Sequence, residues 1–319
     1  MTYSSSAQQI ISKAERRWER TIATRPDIEP AVVLQRRLVT RTLALAELVD
    51  RDQPASVHLD TRGLTAKLKS GMPALAGEQI DVNGGPLKAF AVGFCEDLAT
   101  GEAGGPSGRL GHTLADGVID VGSLVEASLG RRQDAIRTKA HQVGVAPDLL
   151  WLVAELTSAP VANRLQRVVA TDHARRSRAF QAALHEWSHG FCWVCGSWPA
   201  FSERIADKPS DRSLRCSYCG SSWTHTADLC IYCRANGDSL LTAAFDPQQP
   251  SRRVELCREC SGYLKCIDLA EPTEFEVLAV EDLDTTDLDI GAVERGYARG
   301  PMHTFDTSRG APCPPPADT

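Results

Sequence analysis

The chain has 319 residues, 42% of them hydrophobic and 24% charged, with a net charge of −6 at neutral pH. That length holds two or three domains with a sizeable core, and the charge excludes a nucleic-acid-binding polycation. No apolar run approaches the roughly 20 residues that span a bilayer, and the start lacks a charged segment followed by an apolar one. The expectation is a cytoplasmic chain with no membrane insertion.

The first 190 residues read as helix. Ile10, Ile11, Ala14, Trp18 and Ile22 recur at near-helical spacing over 6–23, and Arg25-Pro26-Asp27 breaks that run. Val32, Leu34, Leu38, Leu43, Leu45 and Leu48 supply the apolar face of a helix over 29–49, ended by Asp52-Gln53-Pro54. A shorter helix over 61–69 precedes a Gly/Pro stretch at 71–86. The spacing then predicts helices over 87–98, 121–143 with an interruption at Gly130, 147–159 and 161–189, with a loop at 101–108. Cys95 falls in an apolar helical stretch and reads as a small core residue. No repeat of 20–50 residues points to a solenoid.

From Phe191 the texture changes to short β-like segments, at 198–203, 213–216, 222–226, 239–245, 252–256 and 263–269. Turn signals fall at 207–211 and 246–250. Residues 268–294 carry acidic side chains and no Lys or Arg, which suggests a docking strip. The Pro-rich end from 304 reads as a disordered tail holding an incidental Cys313. The predicted fold class is α+β: an all-helical domain (1–190), two small rubredoxin-like or zinc-ribbon β modules (191–228 and 229–270), an acidic segment (271–303) and the tail (304–319).

Eight of the eleven cysteines form four Cys-x-x-Cys pairs: Cys192/Cys195, Cys216/Cys219, Cys230/Cys233 and Cys257/Cys260. In a reducing compartment such pairs serve metals or redox work rather than structural disulfides. Two thiolates on one tight turn bind one ion, and two such turns complete a tetrahedral four-sulfur shell. The inner gaps of 20 and 23 residues suit a hairpin joining two knuckles. Consecutive pairing gives two sites, one of Cys192, Cys195, Cys216 and Cys219, the other of Cys230, Cys233, Cys257 and Cys260; an interleaved cross-brace stays open.

Glycine follows the second cysteine at Gly196 and Gly220, where it supplies the positive φ that a knuckle needs, but Arg234 and Ser261 stand there in the second site. Two ions are expected, iron or zinc, since both accept four sulfurs. A closed shell leaves no position for substrate, so hydrolysis at these metals is not expected. Cys266, six residues past the last pair, reads as strand packing.

Two other motifs weigh less. His185-Glu186-Trp187-Ser188-His189 spells the helical zinc-protease signature, but no third ligand follows at a suitable spacing, and a linker helix is the expectation. Arg175, Arg176 and Arg178 read as a solvated helix face. Residues 192–266 carry nine basic and eight acidic side chains, which argues against nucleic acid as a partner.

The runs around the pairs resemble the formate dehydrogenase accessory protein family, FdhE. They are Cys-Trp-Val-Cys-Gly-Ser-Trp-Pro-Ala (192–200), Leu-Arg-Cys-Ser-Tyr-Cys-Gly-Ser-Ser-Trp-Thr-His (214–225), Leu-Cys-Ile-Tyr-Cys (229–233) and Leu-Cys-Arg-Glu-Cys-Ser-Gly-Tyr-Leu-Lys (256–265). A fifth run beyond the cysteines, at 279–289 and 296–300, separates this family from generic ribbons. The resemblance implies a cytoplasmic, non-enzymatic assembly factor that acts on the catalytic subunit of formate dehydrogenase before export. It also implies rubredoxin-type iron at the eight paired cysteines. Trp193, where Pro would be expected, and the missing glycine after Cys260 depart from the family pattern. A rubredoxin-like electron carrier is the alternative reading.

Overall fold

The computed structural model describes residues 5–101, 104–173, 177–205, 208–300, 305–306 and 311–312. Two compact units emerge: Met1–His58 with Gly77–Val168, and Leu59–Ala76 with Val169–Thr319. The segment Leu59–Ala76 therefore leaves the helical unit and joins the cysteine-bearing one.

The first unit holds α1 (Ser5–Thr24), α2 (Glu29–Asp52), β1 (Ala55–Val57) and, after the excursion through α3 (Thr61–Lys69), β2 (Ile80–Val82). It continues with α4 (Gly85–Leu98), α5 (Gly104–Ala115), α6 (Val121–Leu129), α7 (Gln133–Val143) and α8 (Pro147–Val168). The apolar faces of α2, α4, α6 and α7 pack on α8. Leu150, Val153, Ala154, Val161, Ala162 and Leu165 of α8 are buried there. Cys95 of α4 is fully buried, as its apolar setting suggests.

Several features depart from the sequence expectation, and the helix expected over 161–189 divides into the end of α8 and a separate helix at Arg178–His185. Residues 104–115 form helix α5 although glycines and a proline crowd its start. The same small residues allow close packing, since a Cβ on Gly111 would lie 3.2 Å from Cys95 Cβ. Pro160 does not interrupt α8. An interior proline costs about 3 kcal/mol, less than burial of the six side chains above returns at roughly 1.5–3 kcal/mol for each large one. Finally, β1 and β2 pair antiparallel with Val57 opposite Ile80.

The second unit includes α3, α9 (Arg178–His185), a six-stranded sheet and two short α-helices packed on it. Its strands are β3 (Phe201–Ile205), β4 (Lys208–Arg215), β5 (Ser222–Thr224), β6 (Leu240–Ala243), β7 (Arg252–Cys257) and β8 (Tyr263–Leu269). Five lie close to the predicted segments, while β4 reaches back to Lys208, into the turn expected at 207–211. The six form one sheet in the order β5-β4-β3-β8-β7-β6. Each ribbon contributes an antiparallel trio, and the two trios join where β3 runs parallel to β8 with Ser202 opposite Cys266. The ribbons are therefore halves of one sheet.

One face of this sheet is covered by α10 (Leu278–Asp284) and α11 (Thr286–Val293), which come from the acidic strip. Leu288 and Ala292 pack on Val254, Leu256 and Tyr263, and Leu278 packs on Ala200, Phe201 and Ile267. In the tail, Phe305–Asp306 and Ala311–Pro312 pair antiparallel; Cys313 and the other residues assigned to the tail lie outside the described residues. No helix among the described residues is long and apolar enough to cross a membrane.

Candidate metal centres

All four Cys-x-x-Cys turns share one backbone signature. The N–H of the first cysteine donates to the carbonyl five residues on: Cys192 to Ser197, Cys216 to Ser221, Cys230 to Ala235 and Cys257 to Gly262, at 2.8–3.0 Å. The residue after the second cysteine has positive φ in every case: Gly196 at 78°, Gly220 at 75°, Arg234 at 65° and Ser261 at 52°. The geometry is thus common to four turns of different sequence. Glycine meets it without strain in the first pair of turns, while the second pair holds ordinary residues in the left-handed region.

The turns meet consecutively. Cys192, Cys195, Cys216 and Cys219 form one group and Cys230, Cys233, Cys257 and Cys260 the other, each with all sulfurs within 4.8 Å of one another. Sulfurs of opposite turns stand 3.5 Å (Cys192–Cys219), 3.6 Å (Cys195–Cys216), 3.7 Å (Cys230–Cys260) and 3.6 Å (Cys233–Cys257) apart. A disulfide would need about 2.05 Å. Four sulfurs at about 2.3 Å around one tetrahedral ion would be roughly 3.8 Å apart. The donor set and its spacing fit a four-thiolate metal shell at both places.

The first group is enclosed, with all four cysteines buried. Hydroxyls reach its sulfurs, Ser221 Oγ at 2.8 Å from Cys192 Sγ and Ser197 Oγ at 3.4 Å from Cys195 Sγ. The Val194 N–H points at Cys192 Sγ at 3.3 Å. Burial, and then the neighbouring thiols, push Cys216 and Cys219 well above the ordinary thiol range. Such a group ionises when a cation is at its centre to take up the charge.

The second group differs, because Cys230 and Cys257 are buried while Cys233 and Cys260 are exposed. Burial pushes the Cys230 thiol up to about 11. At Cys257 burial is opposed and overcome by the N–H groups of Cys260 and Glu259, so that its thiol lies below the usual value.

Several supports of these turns were not visible in sequence. Trp193 and Val194 accept, through their carbonyls, the N–H groups of Ala74 at 2.7 Å and Leu75 at 2.9 Å. This ladder ties the segment after α3 to the first knuckle. Trp193, the residue in the proline position, is buried with its ring edge-on to Phe180 at 6.3 Å. A side chain on Gly190 would meet the Ile231 carbonyl oxygen at 2.0 Å, so this glycine lets the chain entering the first knuckle lie against the third. Tyr232, inside the third knuckle, is edge-on to Trp198 at 4.7 Å and donates to the Tyr263 carbonyl at 3.0 Å.

The protease signature does not assemble. Helix α9 ends at His185, and Glu186 is its C-cap. His189 lies beyond the helix and stacks on Phe191 at 4.9 Å. Burial, then Arg234, lowers its affinity for protons. Among the described residues the two four-cysteine clusters are the groups with metal-binding geometry. Arg175 and Arg176 lie outside the described residues.

Three aspartates of the acidic strip are engaged within the fold. Lys265, fully buried on β8, contacts Asp282 Oδ1 at 2.6 Å and Asp289 Oδ2 at 2.8 Å. Arg299 reaches the same two carboxylates at 2.8 Å each, and Arg252 pairs with Asp284. These aspartates hold α10 and α11 on the sheet. Cys266 is buried in the sheet and receives the Ser202 hydroxyl at 3.0 Å, which is the strand packing expected of it.

No family model matches the chain. It is 25% identical over 250 residues to the FdhE homolog of Aquifex aeolicus, covering 76% of this chain and 78% of that protein. It is 32% identical over 116 residues to the FdhE protein of Escherichia coli O127:H6. That stretch spans 36% of this chain and about a third (37%) of the relative's length. The crystal structure of the FdhE protein from Pseudomonas aeruginosa superposes with a TM-score of 0.56 at 20% identity, over 93% of this chain and 95% of that one.

Proposed function

We propose, from the premise that this chain belongs to the FdhE family, that it is a non-enzymatic accessory factor for formate dehydrogenase. It binds the dehydrogenase's catalytic subunit in the cytoplasm, before export. Two four-thiolate metal centres, Cys192/Cys195/Cys216/Cys219 and Cys230/Cys233/Cys257/Cys260, maintain its binding surface. The observation that carries this reading is the gathering of eight thiols into two four-sulfur shells at tetrahedral spacing. Bound iron or zinc would supply charge neutralisation and, for iron, one-electron chemistry. The cysteines hold the ion, and the serine hydroxyls and turn N–H groups orient them.

Two measurements test the reading. Deletion of the gene is expected to abolish respiratory formate oxidation while the dehydrogenase polypeptide is still made; normal activity in the deletion strain would sink it. Affinity capture from the wild type is expected to retain the catalytic subunit, and capture of unrelated proteins alone would remove the partner assignment.

A rubredoxin-like electron carrier is the second reading, favoured by the exposure of Cys233 and Cys260. It requires iron. A protein purified without air that holds only zinc would exclude it.

A further inference from the structure

The two cysteine groups share a turn geometry but differ in three independent respects. The first is access. Every cysteine of the first group is buried, whereas Cys233 and Cys260 of the second are exposed, one on each of its two turns. The more open side of the second shell therefore carries one cysteine residue from each half of the site.

The second is hydrogen bonding. Ser197 and Ser221 place hydroxyls on sulfurs of the first group. No hydroxyl contacts a sulfur of the second group among the described residues, and its sulfurs rely on turn N–H groups. Hydrogen bonds to thiolates relieve their charge, hold them in place and slow their departure from a cation.

The third is backbone strain. The first group closes on two glycines with positive φ, while the second holds Arg234 and Ser261 there. A non-glycine residue in that region crowds its Cβ against the backbone. A turn under strain gains by opening, and an open turn releases its exposed cysteine.

We infer that the second group is an exchangeable metal site, which yields its ion to soluble thiol or carboxylate chelators, and that the first group is a locked structural site. This inference rests on the metal-binding reading above. In the exchange each incoming donor displaces one cysteine thiolate, which takes up a proton from water, and no electron moves. Cys233 and Cys260 leave first because solvent reaches them, and Cys230 and Cys257 follow. The first shell offers no comparable opening.

The experiment uses the full-length protein purified with its metal. Its metal content is measured, and an excess of a colour-forming chelator is then added. Two ions per chain are expected, with one leaving at least about tenfold faster than the other, the scale on which supporting contacts change metal binding. Iodoacetamide added during the fast phase is expected to label Cys233 and Cys260, then Cys230 and Cys257, and to leave Cys192, Cys195, Cys216 and Cys219 unmodified on peptide mapping. Combined Arg234→Gly and Ser261→Gly substitutions are expected to slow the fast phase. Two ions lost in a single phase, or early label on the first group, would overturn the inference and leave the metal reading standing. A protein that binds no metal would overturn both.

Discussion

At the scale of single residues, the turns show how one backbone requirement is met by different side chains. Gly196 and Ser261 occupy equivalent positions, at φ 78° and 52°. Gly196→Ala is expected to destabilise the protein by about 1–2 kcal/mol, and Ser261→Gly to stabilise it by about 1 kcal/mol. Thermal melting of the metal-loaded protein checks both, and equal shifts of one sign would contradict the strain argument. His225 is a second case. Burial, then Arg212, lowers its pKa from 6.5 to about 4. A histidine depressed in the folded state is neutral there, while the unfolded chain takes up a proton as pH falls below 6.5. Its contribution is therefore intact above pH 6.5 and is lost on acidification toward pH 4, by up to about 3 kcal/mol. The difference in stability between the protein and its His225→Asn variant should change across that window. A pH-independent difference would exclude the assignment.

At the scale of elements, the acidic strip shows what sequence could and could not disclose. Its charge is plain in the sequence, but the partners of its aspartates are not, because Lys265 and Arg252 lie on strands and Arg299 follows α11. A buried ammonium paired with two carboxylates costs more when broken than it contributes when whole. Lys265→Met is expected to destabilise by about 3–5 kcal/mol, because Asp282 and Asp289 then stand without their buried partner. A combined Lys265→Met, Asp282→Asn, Asp289→Asn variant should recover part of that loss in urea unfolding; an additive further loss would show that the network is not coupled. The six strands were legible for a related reason. They are short segments set between turn signals, and each Cys-x-x-Cys pair marks a knuckle next to which strands begin or end. Helix α5 was illegible because its glycines lower local propensity, while their value lies in closeness to α4, a tertiary contact. The parallel β3–β8 junction and the ladder from Ala74 and Leu75 to the first knuckle join residues far apart in sequence, and no local pattern encodes them.

At the scale of the whole molecule, the chain passes between its two units three times, after His58, Ala76 and Val168. The excursion through Leu59–Ala76 carries buried Leu64, Leu68, Met72, Ala74 and Leu75, whose partners include α9 and the first knuckle. A simple truncation after Val168 therefore keeps an apolar segment and discards what covers it, and is expected to aggregate. The helical unit nevertheless contains the means of its own closure. Val57 and Ile80 are paired at the ends of antiparallel β1 and β2, and paired residues in such a ladder lie about 5 Å apart. A two-residue Asn-Gly turn spans that gap in a hairpin. A chain joining residues 1–57 through Asn-Gly to 80–168 is expected to be soluble, helical and cooperative in thermal unfolding, whereas the direct 1–168 truncation is not. Circular dichroism and size-exclusion chromatography of the two decide it. If both aggregate, the helical unit depends on the rest of the chain for its stability. If both fold, the segment 59–76 needs no cover, and its assignment to the cysteine-bearing unit is wrong.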